Sequence, residues 1–271
     1  MTSQASEITT FDDGALVLVR AANPGPMTLD GTNSWLLFSA DFATAVVIDP
    51  GPELQPHIAA ILQALDHRGA TMTAIVLTHW HADHSESLAS ASRWAPEVPV
   101  YAVSGQFRTG TDQIADGDRL TFGSARGDQL VFLLTPGHTS DSLSVLWGET
   151  LLPGDMVLGS GTTVVTYPDG SIAEYLRSIE RMQQLAVGSD ITRILPGHGP
   201  VIDDPQHVLG YYLRHRQERL DQVRAALDAG DSTAEQVVDR VYADVPENVR
   251  PAALQSVKAQ LVYLDSGATK N

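Results

Sequence analysis

Between residues 78 and 84 the chain reads Thr78-His79-Trp80-His81-Ala82-Asp83-His84. Three imidazoles and a carboxylate this close together are the ligand types of a divalent metal, and histidines rarely crowd unless something cationic organises them. The segment follows 73–78, which reads as a short buried strand. In an extended chain His79 and His81 point the same way because side chains alternate. A turn then carries Asp83 and His84 round to a second position. Three distant places repeat the arrangement: Pro136-Gly137-His138, Pro153-Gly154-Asp155 and Pro196-Gly197-His198. Each sets one ligand-type residue at the end of a strand, beside a glycine that permits a tight backbone, and strand ends hold ligands rigidly. Five of the nine histidines fall in these four places. Any one alone reads as an ordinary turn or core residue; the set points to a metal site. His57, His67, His207 and His215 lack this context and are expected as surface or helix residues.

The elements that must position these residues alternate over the first two-thirds of the chain. Strands are expected at 15–20, 34–40, 43–48, 73–78, 98–103, 119–122, 129–135, 143–147, 151–153 and 191–195. Helices are expected at 52–69, where Ile58, Ile61, Leu62 and Leu65 keep helical spacing, at 83–95, and at 171–185, where Ile172, Leu176, Ile179 and Met182 share a face. After Pro205 the pattern is helical only. One long helix ends near Gly230, a second is capped by Asp231 and Ser232, and a third runs over about 251–264. These patterns predict an α/β catalytic domain over 1–205 and a small helical module over 206–271.

Composition narrows the chemistry. There is no cysteine, so a metal must be held by His, Asp or Glu, and neither a disulfide nor a thiol nucleophile is available. No apolar run is long enough for a transmembrane helix, and residues 1–14 have no apolar signal core, so a cytoplasmic protein without membrane attachment is expected. The net charge is −16, which repels nucleic acid at long range. Residues 206–271 carry eight Lys/Arg against nine Asp/Glu, so nearly all the acidic excess lies before them. No feature specifies an oligomeric state.

The set His79-x-His81-x-Asp83-His84, His138, Asp155 and His198 resembles the full ligand set of the metallo-β-lactamase superfamily. The resemblance implies an αββα four-layer sandwich with metals at one edge. It implies that His79, His81 and His138 hold one metal, that Asp83, His84 and His198 hold a second, and that Asp155 bridges them. Asp49 stands where the superfamily keeps a carboxylate that orients a ligating histidine; a plain turn residue is the equal alternative. His at position 81 rather than Glu argues against the flavodiiron oxygen reductases. The absence of cysteine argues against a class B1 β-lactamase, and the short stretch from Asp155 to His198 against β-CASP nucleases. A persulfide dioxygenase needs only three of the ligands. The segments 23–33, 154–163 and 196–202, with Tyr212, His215, Arg216 and Arg219, are similar to the lactamase-β-like protein 2 group, beside a glyoxalase II-like core. That group adds a winged-helix-like carboxy-terminal module, expected here in truncated form.

The chemistry so implied is hydrolysis. Two divalent ions roughly 3.5–4 Å apart share a hydroxide, the parent water having its pKa lowered to about 7. Zinc is favoured by the imidazole-rich set, with iron or manganese as alternatives. Asp83, with the metal-bound hydroxide, is the candidate catalytic group. Thr162 and Thr163 are candidates to face the substrate, with turn residues the equal alternative. The favoured substrate is a small acyl compound: a thioester, ester, lactone or lactam. The alternative is cleavage of single-stranded RNA, with Arg214, Arg216, Arg219, Arg224, Tyr211 and Tyr212 along a backbone, although a solvated charged face explains that helix better. The weakest reading is a nucleic-acid-binding regulator with a metal-dependent sensor core.

Overall fold

The computed structural model describes residues 6–188 and 190–267. Residues 1–5 of the amino-terminal segment and 268–271 of the expected helical module lie outside it. Two sheets form. The first contains β1 (Glu7–Phe11), β2 (Leu16–Arg20), β3 (Asn33–Phe38), β4 (Thr44–Ile48), β5 (Thr71–Val76) and β6 (Val100–Tyr101), side by side in chain order. β1 to β4 pair antiparallel, and β4, β5 and β6 pair parallel. The second contains β7 (Arg119–Thr121), β8 (Gln129–Leu134), β9 (Leu143–Trp147), β10 (Thr150–Leu152) and β11 (Arg193–Ile194), in the order β11-β10-β9-β8-β7. Only the β10–β11 pair is parallel.

The strands are apolar on both faces because both faces are covered. From the first sheet Leu16, Leu18, Trp35, Leu37, Val46 and Ile48 meet Leu130, Phe132, Leu143 and Val145 of the second. The alternate residues Val17, Val19, Leu36, Phe38 and Val47 pack on Ile61, Ala64 and Leu65 of α1 (Gln55–Asp66). The outer face of the second sheet, with Leu133, Leu151 and Ile194, is covered by Ile172, Tyr175, Ile179 and Met182 of α4 (Ile172–Val187). Helix, sheet, sheet and helix make the four layers expected. Each fully buried large side chain contributes about 1.5–3 kcal/mol by leaving water.

Two expectations need correction. Residues 83–95 are not one helix: α2 (Ala82–Ser85) passes through a 3-10 segment at Glu86–Ser90 into α3 (Ala91–Trp94). Serines compete with the helix here, for Ser85 Oγ donates to the Trp80 carbonyl and Ser90 Oγ to that of Ser87. β1 was not expected at all, since Glu7-Ile8-Thr9-Thr10-Phe11 is a largely exposed, polar edge strand. Only Phe11 marks it, with its ring 6.1 Å from that of Trp35.

The carboxy-terminal helices are α5 (Pro205–Asp228), α6 (Ala234–Val241) and α7 (Arg250–Asp265). Asp204 caps α5, and Thr233 with Gln236 forms a capping box on α6. α5 serves two cores. Leu209, Tyr212 and Leu220 join the cluster over the second sheet, while Val223 and Ala226 join Val237, Val238, Ala253 and Val257 in a separate one. No helix of the described residues is long and apolar enough to cross a membrane.

Candidate metal centre

The ligand-type residues all lie where strands end at one edge of the sandwich. His79 and His81 follow β5, Asp49 follows β4, His138 follows β8, Asp155 follows β10 and His198 follows β11. Asp83 and His84 sit in the first turn of α2. The backbone must pass very close to itself here. A Cβ on Gly197 would stand 2.4 Å from Asp155 Oδ1 and 2.8 Å from His84 Cε1, so only glycine fits beside the cluster. Gly137, at φ +150°, lies against the backbone of Tyr175 and sets the turn that delivers His138.

All seven residues converge. His81 Nδ1 lies 2.9 Å from His79 Nε2 and 3.0 Å from His138 Nε2. Beside this trio, His84 Nε2 lies 3.2 Å from His198 Nε2. Asp83 Oδ2 is 3.1 Å from His198 Nε2 and 3.5 Å from His84 Nε2. Asp155 stands between the groups: Oδ1 is 3.5 Å from His84 Nε2, and Oδ2 is 3.3 Å from His198 Nε2 and 4.0 Å from His138 Nε2. Three sets of ligand atoms are close enough together for one ion each: His79, His81 and His138; His79, His84 and Asp155; Asp83, His84 and His198.

The outer partners of the rings decide what the inner nitrogens can do. His84 Nδ1 donates to Asp49 Oδ2 at 2.9 Å, His138 Nδ1 to the Val164 carbonyl at 2.6 Å, and His198 Nδ1 to the Gly31 carbonyl at 3.2 Å. Thr78 Oγ1 donates to Asp49 Oδ2 and so accepts from His79 Nδ1 at 3.1 Å. A neutral imidazole carries one N–H and one lone pair. In the neutral form of each of these four the proton is on the outer Nδ1, and the lone pair of Nε2 faces inward. Lone pairs facing one another about 3 Å apart repel unless a cation lies between them, and such spacing is that of nitrogens sharing one ion at about 2.0–2.1 Å. Asp155 Oδ1 is buried and has no hydrogen-bond donor. The residues therefore fit divalent metal.

Ionisation divides the cluster. Burial pushes the imidazoles of His79 and His138 down and that of His81 to about 4; neighbouring imidazoles add to this at His79 and His81. Burial acts the same way on His84 and His198 but is outweighed there. The Asp83, Asp155 and Asp49 carboxylates raise His84 well above its ordinary value, and Asp155 and Asp83 raise His198 to about 9. In return Asp83 falls to about 2, despite its burial, under the charges of His84 and His198.

Asp49 is buried, with φ at +52°, a conformation that Asp tolerates better than most residues. Its carboxylate accepts from Thr78 N at 2.8 Å and Thr78 Oγ1 at 2.7 Å, as well as from His84. Of the two readings of Asp49, the geometry favours orientation of ligand-type histidines over a plain turn. His57, expected as a surface or helix residue, is on a helix but not at the surface. It is fully buried on α1, with Nε2 2.8 Å from Ser34 Oγ, whose hydroxyl donates to the Asp49 carbonyl. Thr163 is buried, and its hydroxyl donates to the Asp155 carbonyl at 2.6 Å, so it braces a ligand loop rather than offering itself to a substrate; Thr162 is half-buried and faces the carboxy-terminal helices. Arg216 and Tyr212 are buried too: Arg216 donates to the Thr163 carbonyl, and the Tyr212 hydroxyl accepts from the Leu158 N–H at 2.8 Å and donates to the Leu158 carbonyl at 3.4 Å, so neither can track an RNA backbone.

The sequence alone did not single out several contributors. Asn33 Nδ2 donates to the Pro196 and Gly199 carbonyls and pins the turn that carries His198. Between His79 and His81 in the chain, Trp80 donates through Nε1 to Asp169 Oδ2, which also accepts from Ser140 N. Trp80, Val103, Ser104, Phe107, Ser140 and Asp169 line a depression of about 530 Å³. The tryptophan between two ligand-type histidines was the available signal; the others come from loops without a pattern.

Residues 27–198 match the metallo-beta-lactamase superfamily, and residues 233–265 match the beta-lactamase associated winged helix domain. Among the described residues that second span is helical only. The chain is similar to a beta-lactamase-like protein 2 homolog of Caenorhabditis elegans, 33% identical over 92% of this chain and 84% of the relative. It is also similar to an atrochrysone carboxyl ACP thioesterase of Aspergillus chevalieri, 30% identical over 94% of this chain and 82% of the relative. A beta-lactamase domain protein from Burkholderia ambifaria shares the fold, with a TM-score of 0.78 over 96% of this chain and 90% of the other at 18% identity. The chain thus belongs to the metallo-beta-lactamase superfamily of hydrolases, in the group of beta-lactamase-like protein 2 homologues.

Proposed function

We propose that the protein is a dinuclear metal-dependent hydrolase of small acyl substrates, of the thioester, ester, lactone or lactam class. The observation that carries this reading is the convergence of inward imidazole lone pairs around a buried carboxylate oxygen that lacks a donor. His79, His81 and His138 would hold one ion and Asp83, His84 and His198 the other, with Asp155 shared. The imidazole-rich set favours zinc, with iron and manganese compatible. Bound divalent ions supply Lewis acidity toward a carbonyl and bring the pKa of a water to about 7.

The chain's own residues do the rest. Asp49, Thr78, Gly31 and Val164 fix the tautomers of the ligating rings from outside. Asp83, held ionised, is one of the least buried of the seven and stands at the open side, where a carboxylate oxygen can take up or release a proton. Trp80, Val103 and Phe107 give the depression beside Trp80 an apolar wall that suits an acyl group, with Ser140 and Asp169 as polar rim. The thioesterase among the relatives supports the acyl class. The charge of −16, and the burial of Arg216 and Tyr212, weigh against an RNA track.

The deciding experiment offers the same metal-loaded preparation a panel of thioesters and activated esters, and separately a labelled single-stranded RNA. Thioester turnover that is lost on chelation, restored by zinc and nearly indifferent to salt is expected, since a small acyl group needs only the cleft. RNA cleavage that falls steeply with salt, and is absent from Asp155→Ala protein, would replace the acyl reading with the nuclease one.

A further inference from the structure

A second polar cavity, of about 210 Å³, lies at the seam between the catalytic core and the carboxy-terminal helices. The loop at 162–164 forms one wall, α5 a second, and α7 with the chain before it a third. Its polar lining includes Thr162, His215, Arg216, Arg219, Tyr242 and Ser256, and no Asp or Glu reaches it. In a chain of net charge −16, this is a pocket of the opposite sign.

Arg216 is the anomaly. It is only 3% exposed, and among the described residues no carboxylate lies within 4 Å of it or of Arg219. One terminal nitrogen donates to the Thr163 carbonyl at 2.9 Å, and Nε is buried with no partner. The guanidinium stacks over Tyr175, and that of Arg219 over Tyr242. Stacking recovers part of the lost hydration, but a buried charge is ordinarily paired, because leaving it unpaired costs several kcal/mol. A separate orphan lies nearby. Gln260, fully buried, leaves both amide atoms unpartnered one helical turn beyond Ser256 on α7. Buried polar groups without partners mark a missing polar ligand or ion. The imidazole of His215 feels the same surplus, pushed to about 4 by burial and then by the two arginine charges.

We infer that this seam cavity binds a small oxyanion, a phosphate or a carboxylate, between Arg216 and Arg219. Guanidinium forks match the planar and tetrahedral faces of those anions, and the hydroxyls of Thr162 and Ser256 are further donors of suitable size. The volume admits one such anion with a little water. The loop it borders also carries the Thr163 hydroxyl bonded to Asp155 and the Val164 carbonyl bonded to His138. The bound anion would therefore fasten the carboxy-terminal helices to the back of the catalytic edge. The inference stands on the arginines and does not depend on the metals or on the acyl reading.

The test is isothermal titration of the metal-loaded protein with inorganic phosphate, and in a second arm with acetate, at constant ionic strength. Saturable binding of at least one anion is expected, weakened at least tenfold in Arg219→Gln, which removes a charge without disturbing the Thr163 contact. Arg216→Lys should weaken it as well, and a thermal-shift series should show the wild type, not Arg219→Gln, stabilised by the anion. The tighter arm assigns phosphate or carboxylate. Binding that Arg219→Gln leaves unchanged, as binding at the metal cluster would be, overturns the inference. So does the absence of saturable binding of either anion up to tens of millimolar.

Discussion

The protein buries unpaired polar atoms of opposite sign in two places. At the sandwich edge they are lone pairs: four inward imidazole nitrogens and Asp155 Oδ1, all calling for a cation. At the seam they are donors: Arg216 Nε with the charge of Arg219, calling for an anion. Burial alone produces neither. His57 is as buried as any ligand-type histidine, yet its ring is spent on Ser34 and Ser6, and it converges with nothing. What separates a site from a satisfied core histidine is whether outer partners leave the inner atoms free to meet.

The largest expected effect breaks the cation side. Asp155→Asn keeps the shape but removes the negative charge of the carboxylate. It should lower kcat/KM on the order of 10³-fold, about 4 kcal/mol of transition-state stabilisation, with metal content falling in parallel. Wild-type turnover in a variant that has lost metal would remove Asp155 from the chemistry.

His57 sharpens the same comparison through pH. Its folded-state pKa of about 4 lies below the ordinary 6.5 because burial disfavours the charged ring. The unfolded chain therefore takes up a proton first as pH falls. The stability so contributed is fully present above 6.5 and is lost as pH falls toward 4, by about 3 kcal/mol. Denaturant unfolding of wild type and His57→Gln from pH 7 to 4 should show the wild type losing about that much more. Parallel pH profiles would mean the buried ring is not held neutral.

A smaller effect is expected at Asp49, which touches ligand-type residues only from outside. Asp49→Asn retains the acceptor for one donor but not the charge that holds His84. Metal affinity should fall about 10- to 100-fold by competition with a chelating dye, with the fold intact by circular dichroism. Unchanged affinity would reduce Asp49 to a turn residue.

The two regions also differ in how far the sequence disclosed them. The cation cluster was legible because strand ends concentrate its ligands: four of the seven lie between His79 and His84, and each of the others sits beside a glycine at a turn. The four layers were legible because strands buried on both faces read as continuous apolar runs. The seam was not. Arg216 and Arg219 lie on a helix with Glu218 and Asp221 beside them, which reads as a solvated face. Only the packing of α5 against α4 turns Arg216 inward, onto Tyr175. The burial of His57 is hidden for a related reason: a polar residue on an amphipathic helix looks exposed until the strand carrying Ser34 is placed beneath it. β1 and the broken helix after His84 depend on edge position and on serine back-bonding, neither of which periodicity reveals.

The central claim, a pair of divalent ions held by seven side chains, is tested most directly by elemental analysis of protein purified without chelators and then dialysed against metal-free buffer. Close to two ions per chain, predominantly zinc, are expected. A reproducible stoichiometry near one, unmoved by added zinc, would contradict it.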